Sequence, residues 1–126
     1  MPSSVKDLLA AANAAVPRIQ VADLRNLISG GKVLIVDVRD APELAAGGKV
    51  KGAINVSRGM LEFRADPESQ YYNPAFQKDK TVVLYCASGG RSALGGKVLQ
   101  ELGYKSVYNA GAFKDLAEGG METEPA

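Results

Sequence analysis

Short continuous apolar runs alternate along the chain with segments in which apolar residues recur at helical spacing. Residues 33–36 and 81–85 are the two clearest runs, and both have the apolar, mostly β-branched character of strands buried on both faces of a parallel sheet. Helical spacing over residues 21–27 and 92–102 predicts helices there. A candidate N-cap at Ser3 or Ser4 and a stop before Pro17 predict a further helix over residues 5–15. Strands and helices in alternation predict an α/β fold with a mainly parallel sheet and helices on both of its faces.

Weaker patterns complete the predicted order. We expect strands over residues 18–20, 53–56 and 106–108, and short helices over residues 42–46, 60–64 and 112–118. Residues 58–79 form the longest irregular stretch, and Asp66-Pro67 and Asn73-Pro74 favour turns within it. The predicted organisation is a helical N-terminal extension over residues 1–16, one domain over residues 17–120, and a disordered tail over residues 121–126.

Length and charge limit the class of protein. The 126 residues suffice for one hydrophobic core, and a formal net charge of +1 provides no field to attract nucleic acid or an anionic membrane. No apolar run is long enough to span a bilayer. The first helix carries Asp7 and Asn13 and lacks the basic start of a secretory signal. We therefore expect a soluble, cytoplasmic protein that binds neither nucleic acid nor membrane.

The composition also excludes several chemistries. The chain has no histidine, which removes Ser-His and Cys-His catalysis and histidine-ligated zinc. Its single cysteine, Cys86, rules out an intramolecular disulfide and a cysteine-rich metal site. We expect no metal and no cofactor. Catalysis, if present, uses Cys86 without an imidazole base, or carboxylates, hydroxyls, Lys, Arg and backbone groups.

Cys86 ends one predicted strand and precedes a glycine-containing loop that leads into a helix. Backbone N–H groups and the positive end of the helix dipole favour a thiolate at such a position, so we predict a lowered pKa for Cys86. Gly89 and Gly90 can take positive φ angles and curl N–H groups inward around an anion, and Arg91 adds a fixed charge. The competing interpretation is that Cys86 is an inert, buried small residue.

Asp37 and Arg39 end the other buried strand, at the sheet edge where open α/β folds bind ligands. They fit two interpretations equally well. Either they belong to the site, or Asp37 caps a helix and Arg39 is its partner in a surface ion pair.

Four motifs in order make the chain similar to the single-domain rhodaneses, a family of sulfurtransferases. The motifs are Asp37-Val38-Arg39-Asp40, Gly52-Ala53-Ile54-Asn55, Cys86-Ala87-Ser88-Gly89-Gly90-Arg91-Ser92 and Asn109-Ala110-Gly111-Ala112-Phe113. The resemblance covers about residues 18–120. It implies a five-stranded parallel sheet and a catalytic cycle in which Cys86 carries a persulfide.

The resemblance also implies roles for individual residues. Cys86 and Arg91 are the candidate catalytic residues, and Asp37 and Arg39 are candidates for support of the loop. The candidate anion-binding residues are Ala87, Ser88, Gly89, Gly90, Ser92 and Arg58. The implied partners are a small sulfur donor, such as thiosulfate or a persulfide, and a thiol, cyanide or protein acceptor.

Glu43 departs from the two-domain thiosulfate enzymes, which carry an extra arginine near that point and basic residues where this loop has Ala87 and Ser88. We therefore expect low efficiency with thiosulfate. A Cys-loop phosphatase or arsenate reductase is one rival, but those loops place five residues between Cys and Arg, and only four separate Cys86 from Arg91. The other rival is a non-catalytic interaction module of the same fold.

Overall fold

A computed structural model describes residues 2–126 of the chain. The elements, in chain order, are α1 (Val5–Ala15), α2 (Val21–Gly30), β1 (Val33–Asp37), α3 (Ala41–Gly47), β2 (Lys49–Val50), β3 (Ile54–Asn55), a 3-10 turn (Arg58–Met60), α4 (Leu61–Ala65), β4 (Thr81–Cys86), α5 (Gly90–Glu101), β5 (Val107–Ala112), α6 (Phe113–Glu118) and β6 (Thr123–Glu124). None of the helices in this part of the chain combines the length and the apolar character that crossing a membrane requires.

The main sheet has four parallel strands in the order β3-β1-β4-β5. The two continuous apolar runs, now β1 and β4, are its central strands, and Val36 pairs with Leu84 in their register. The pairing of β4 with β5 shifts after Leu84, because Leu84 pairs with Asn109 but Tyr85 pairs with Gly111. This irregularity adds one residue to β5 immediately beside the end of β4.

Successive side chains of the central strands point to opposite faces, so each face has its own core. Val82, Leu84 and Cys86 belong to the core that α4 and α5 cover. Val83 and Tyr85 belong to the other core, to which α2 contributes Leu24 and α6 contributes Leu116. Helices therefore flank the sheet on both faces, and the α/β prediction is confirmed.

The N-terminal helix covers the same face as α5. Ser4 caps α1 through a reciprocal pair of hydrogen bonds with Asp7, each 3.1 Å long. Immediately after the helix in the chain, Val16 packs against Gly96 of α5. A Cβ on Gly96 would lie only 2.9 Å from a Val16 methyl group. The absence of a side chain at Gly96 therefore lets the segment after α1 approach α5 closely.

Two expectations are corrected. Residues 18–20 do not form the fifth strand, since only Arg18 makes an isolated parallel bridge with Asn109 before α2 begins at Val21. The sheet consequently has four strands. The tail predicted to be disordered instead forms β6, which pairs antiparallel with β2, a strand that the sequence analysis did not predict.

Tertiary contacts of single side chains account for the position of the tail. Met121 is buried in the α2–α6 core, and Glu124 accepts hydrogen bonds from the Lys49 ammonium group and the Gly52 N–H. The composition of a short polar segment does not reveal such contacts, because they depend on which surface lies beside it.

Candidate active site

Cys86 lies at the carboxyl end of β4, with the loop of residues 87–89 folded around its sulfur. The Gly89 N–H donates to Cys86 Sγ over 3.0 Å, and the Ser92 hydroxyl lies 3.4 Å from the same atom. Gly89 has a φ angle of 95° and is the N-cap of α5. That left-handed conformation, which strains any residue with a side chain, turns the Gly89 N–H inward.

The environment of the sulfur changes its acidity. Burial raises the pKa of the Cys86 thiol, but hydrogen bonds from the Ser92 hydroxyl and from the N–H groups of Ser92, Ser88 and Gly89 lower it by more. The net pKa lies below the ordinary value for cysteine, as the sequence predicted. A lowered pKa makes the thiolate, the nucleophilic form, available without a separate base.

Asn109 of β5 holds the loop from the neighbouring strand. Its Nδ2 donates to the Gly89 carbonyl oxygen over 3.0 Å, which leaves Oδ1 to accept from the Gly111 N–H at 2.9 Å and from the Ser92 hydroxyl at 2.7 Å. Asn109 and Ser92 are both buried. The single proton of the Ser92 hydroxyl therefore faces two acceptors, Asn109 Oδ1 and Cys86 Sγ.

Arg91, the predicted fixed charge of the loop, is bound to Glu43 at the start of α3. Both guanidinium nitrogens take part, with Nη1 2.8 Å from Glu43 Oε2 and Nη2 2.9 Å from Oε1. The hydrogen bond from Arg91 lowers the pKa of Glu43 to about 2, and Glu43 in turn raises the pKa of Arg91. Both groups are therefore ionised at neutral pH, and their charges compensate each other.

Asp37 and Arg39 form a buried ion pair rather than a surface one. Arg39 Nη2 lies 2.7 Å from Asp37 Oδ2 and donates to the Gly48 carbonyl oxygen, while its guanidinium stands 4.4 Å from the centre of the Phe113 ring. Asp37, at the end of β1, is fully buried. The pair thus joins the ends of β1 and α3 to α6. Its aromatic neighbours, Tyr85 and Phe113, belong to the face of the sheet opposite Cys86.

Two further arginines, Arg58 and Arg18, lie on different sides of the loop. Arg58 packs against Gly95 in the second turn of α5 and pairs with Glu62 at 2.8 Å, so the structure does not bring it into contact with the sulfur. The Arg18 guanidinium lies against Gly111 and is near Gly89, since a Cβ on Gly89 would be 3.8 Å from Arg18 Nη1. Among residues 2–126, no ion pair includes Arg18.

The sulfur of Cys86 is enclosed by its surroundings. Cys86 is 0% exposed, whereas Ala87 and Ser88 are exposed at the rim of the loop. On the α1 side, a Cβ on Gly90 would lie 3.6 Å from a Leu9 methyl group. The sulfur is therefore shielded from solvent, whereas the loop that surrounds it is partly exposed. Within residues 2–126 no cluster of carboxylate or cysteine side chains is arranged to hold a metal.

The sequence analysis missed three features of the site: the bond between Glu43 and Arg91, the part played by Asn109, and the approach of Arg18. In the sequence, Glu43 stands out only as a departure from the two-domain enzymes. Asn109 stands out only as the first residue of the fourth motif. A glutamate three residues after Asp40 at a helix start predicts a local capping interaction, which exists between the Asp40 N–H and Glu43 Oε2 at 2.9 Å. Nothing in the local pattern indicates its second bond to a loop 48 residues away.

Comparisons with known proteins agree with the motifs. The model of the rhodanese-like domain family matches residues 20–117. The human thiosulfate:glutathione sulfurtransferase is 29% identical over 112 residues, which cover 83% of this chain and 96% of the human protein. The thiosulfate sulfurtransferase PspE of Escherichia coli (strain K12) is 36% identical over 85 residues, which cover 65% of this chain and 72% of that protein.

A solved structure from Rhodopseudomonas palustris CGA009 is similar over nearly the whole chain. It is described as a protein of unknown function and possible tyrosine phosphatase. Its TM-score is 0.87 at 40% sequence identity, with 98% of this chain and 99% of that chain covered.

Proposed function

The chain belongs to the rhodanese-like domain family, and we propose that it is a sulfurtransferase in which Cys86 carries the transferred sulfur as a persulfide. The single observation that carries this proposal is the set of hydrogen bonds to the sulfur. Gly89 N–H and the Ser92 hydroxyl reach Cys86 Sγ within 3.0 and 3.4 Å, and together with the other loop N–H groups they lower the pKa of the thiol. They therefore favour a negatively charged sulfur.

In the first step the Cys86 thiolate attacks the outer sulfur of a sulfane donor. With thiosulfate, a new S–S bond forms to Cys86, the S–S bond of the donor breaks, and its electron pair leaves on sulfite. The products are a Cys86 persulfide anion and a sulfite dianion. No proton is transferred, so the step needs neither a general acid nor an imidazole.

In the second step a nucleophilic acceptor, such as cyanide, a thiolate or a protein thiolate, attacks the outer sulfur of the persulfide. The bond between the two sulfurs breaks and its electron pair returns to Cys86 as the thiolate. The loop N–H groups stabilise anionic sulfur at the start and the end of this step. An external acceptor is required because the chain has no second cysteine.

We assign Arg91, Asp37 and Arg39 supporting roles in this proposal. Arg91 holds α5 to α3 through Glu43, and the buried pair of Asp37 and Arg39 fixes the strand end beside β4. Ala87, Ser88, Gly89, Gly90 and Ser92 form the anion-binding loop. Arg58 is left outside that loop, because its contacts are with Glu62 and α5.

The test is a mass measurement on the intact protein. After incubation with thiosulfate or an organic hydropersulfide, the protein should gain the mass of one sulfur atom, and cyanide or dithiothreitol should remove it. Cys86→Ser should gain none. If the wild-type protein gains no sulfur from either donor while far-UV circular dichroism shows that it is folded, the result would contradict the proposal. It would support a non-catalytic interaction module of the same fold.

Phosphatase activity is the second candidate, because the similar structure from Rhodopseudomonas palustris is described as a possible tyrosine phosphatase. Two features of this chain oppose it. Four residues separate Cys86 from Arg91, which leaves a small ring for a group with three equatorial oxygens. Arg91 is also bound through both of its terminal nitrogens to Glu43.

A paired assay separates the two activities. Thiocyanate formation from thiosulfate and cyanide, and hydrolysis of an aryl phosphate, are measured on wild type and on Cys86→Ser. We expect Cys86-dependent thiocyanate formation and phosphate hydrolysis at background. Appreciable phosphatase activity that Cys86→Ser abolishes would contradict the sulfurtransferase proposal.

A further inference from the structure

We propose that Glu43 selects sulfur donors by their charge: by binding Arg91 it leaves the loop without net positive charge, so that the protein prefers singly charged sulfane donors over dianionic thiosulfate. This inference rests on the sulfurtransferase function proposed above. It concerns the class of donor and assigns a specificity-determining role to a residue outside the loop.

The pair is built into the fold rather than formed by two loose surface chains. Glu43 Oε2 accepts from Arg91 Nη1 at 2.8 Å and from the Asp40 N–H at 2.9 Å, and Oε1 accepts from Arg91 Nη2 at 2.9 Å. Each side chain is only 35% exposed. Glu43 is therefore oriented by its own helix start, and Arg91 meets it with a two-point contact that fixes the guanidinium plane.

Two further arginines near the loop are compensated as well. Asp37 compensates Arg39, and Glu62 compensates Arg58. Arg18, beside Gly89 and Gly111, remains, and its single positive charge balances the single negative charge of the Cys86 thiolate. These groups sum to zero, and the Asp40 carboxylate, which acts electrostatically on Arg91, adds one negative charge. The surroundings of the sulfur therefore carry no net positive charge.

A loop without net positive charge offers little attraction to a dianion that must approach a thiolate. An approaching donor with one negative charge experiences about half the repulsion from the thiolate, because the Coulomb energy scales with the product of the charges. Thiosulfonates and hydropersulfides carry at most one negative charge.

With methanethiosulfonate, the Cys86 thiolate attacks the outer sulfur, the S–S bond of the donor breaks, and its electron pair leaves on methanesulfinate. The products are the Cys86 persulfide anion and a sulfinate anion. The total charge is minus two before and after the step. Methanethiosulfonate and thiosulfate differ by a methyl group in place of one anionic oxygen, so they are a matched pair of probes for charge.

The experiment compares kcat/KM for these two donors, with cyanide as acceptor, in wild type and in Glu43→Gln. The glutamine keeps the shape of the side chain but removes the charge that compensates Arg91. We expect the selectivity for methanethiosulfonate over thiosulfate to fall about tenfold in Glu43→Gln, at the low end of the effect of a focused charge on association with an anion. The change should come from a higher kcat/KM for thiosulfate, and it should diminish at high salt.

Glu101→Gln is the matched control, because it removes the glutamate of the Lys97–Glu101 pair on the exposed side of α5. Its selectivity should equal that of wild type. Activity with methanethiosulfonate shows that each variant is folded and able to transfer sulfur, so a selectivity in Glu43→Gln within twofold of wild type would overturn the proposal while leaving the function intact. Absence of a Cys86 persulfide with both donors in all proteins would contradict the function itself.

Discussion

Ser92 and Asn109 share a buried hydrogen bond in which the Ser92 hydroxyl lies 2.7 Å from Asn109 Oδ1, and the same hydroxyl lies 3.4 Å from Cys86 Sγ. The hydroxyl has one proton for two acceptors. A negative charge on Sγ draws that proton toward the sulfur, whereas a neutral Sγ leaves it with Asn109. The charge of Cys86 is therefore coupled to the contact between α5 and β5.

Ser92→Ala should raise the pKa of Cys86, because the hydroxyl hydrogen bond is the largest of the contributions that lower it. At pH 6 alkylation of Cys86 by iodoacetamide should be about tenfold slower than in wild type, as expected for loss of a hydrogen bond to a charged group. Ser92→Thr keeps the hydroxyl and should recover most of the rate. A pH–rate profile unchanged in Ser92→Ala would show that the hydroxyl does not stabilise the thiolate.

Two substitutions of Asn109 should shift the pKa of the Cys86 thiol in opposite directions. Asn109→Ala removes the competing acceptor, so the Ser92 proton is free for the sulfur and the pKa of Cys86 should fall. Asn109→Asp adds a negative charge and a stronger acceptor, so the pKa should rise. The measurement is the pH dependence of alkylation, with Ser92→Ala/Asn109→Ala as control. Equal shifts in both single variants would indicate that Asn109 only maintains the loop.

Gly89→Ala should impair sulfur transfer more than Gly90→Ala. Gly89 has a φ angle of 95°, and its N–H contacts Cys86 Sγ, so a side chain there costs about 1–3 kcal/mol of backbone strain and moves the donor. Gly90 lies in the first turn of α5, where a Cβ would make an ordinary contact with Leu9. Thiocyanate formation and urea unfolding should both rank the variants in this order, and the reverse order would contradict the role of Gly89.

The pair of Glu43 and Arg91 should make stability depend on pH in acid. Arg91 holds the pKa of Glu43 at about 2 in the folded protein, against an ordinary value of 4.5. The stabilisation is therefore complete above pH 4.5 and is lost as the pH falls through about 2.

At pH 7, Glu43→Gln should lower the free energy of unfolding by less than about 1 kcal/mol, since solvent screens a partly exposed pair. The difference from wild type should shrink as the pH is lowered to about 2, where half of the Glu43 carboxylates are protonated. Urea denaturation at both pH values checks this, with Glu101→Gln as the reference. A difference that persists undiminished at pH 2 would show that the ion pair is not its source.

Local sequence determined much of the fold. The apolar runs that became β1 and β4 are buried on both faces, and such runs are continuous because no residue of the strand faces water. The first helix forms over the predicted residues 5–15, and its cap depends on residues only three apart. The position of Cys86 at a strand end, ahead of a glycine and a helix start, was also readable, because strand, turn and helix each have a short-range signature.

Only the tertiary structure decided what each site residue contacts. Glu43 meets Arg91 across 48 residues of sequence, Ser92 meets Asn109 across 17, and Lys49 meets Glu124 across 75. These contacts depend on which strands are neighbours in the sheet and on where β5 gains its extra residue. The pattern of apolar positions fixes which face of an element is buried, but it carries no information about the partner that a polar side chain meets at the edge of the sheet.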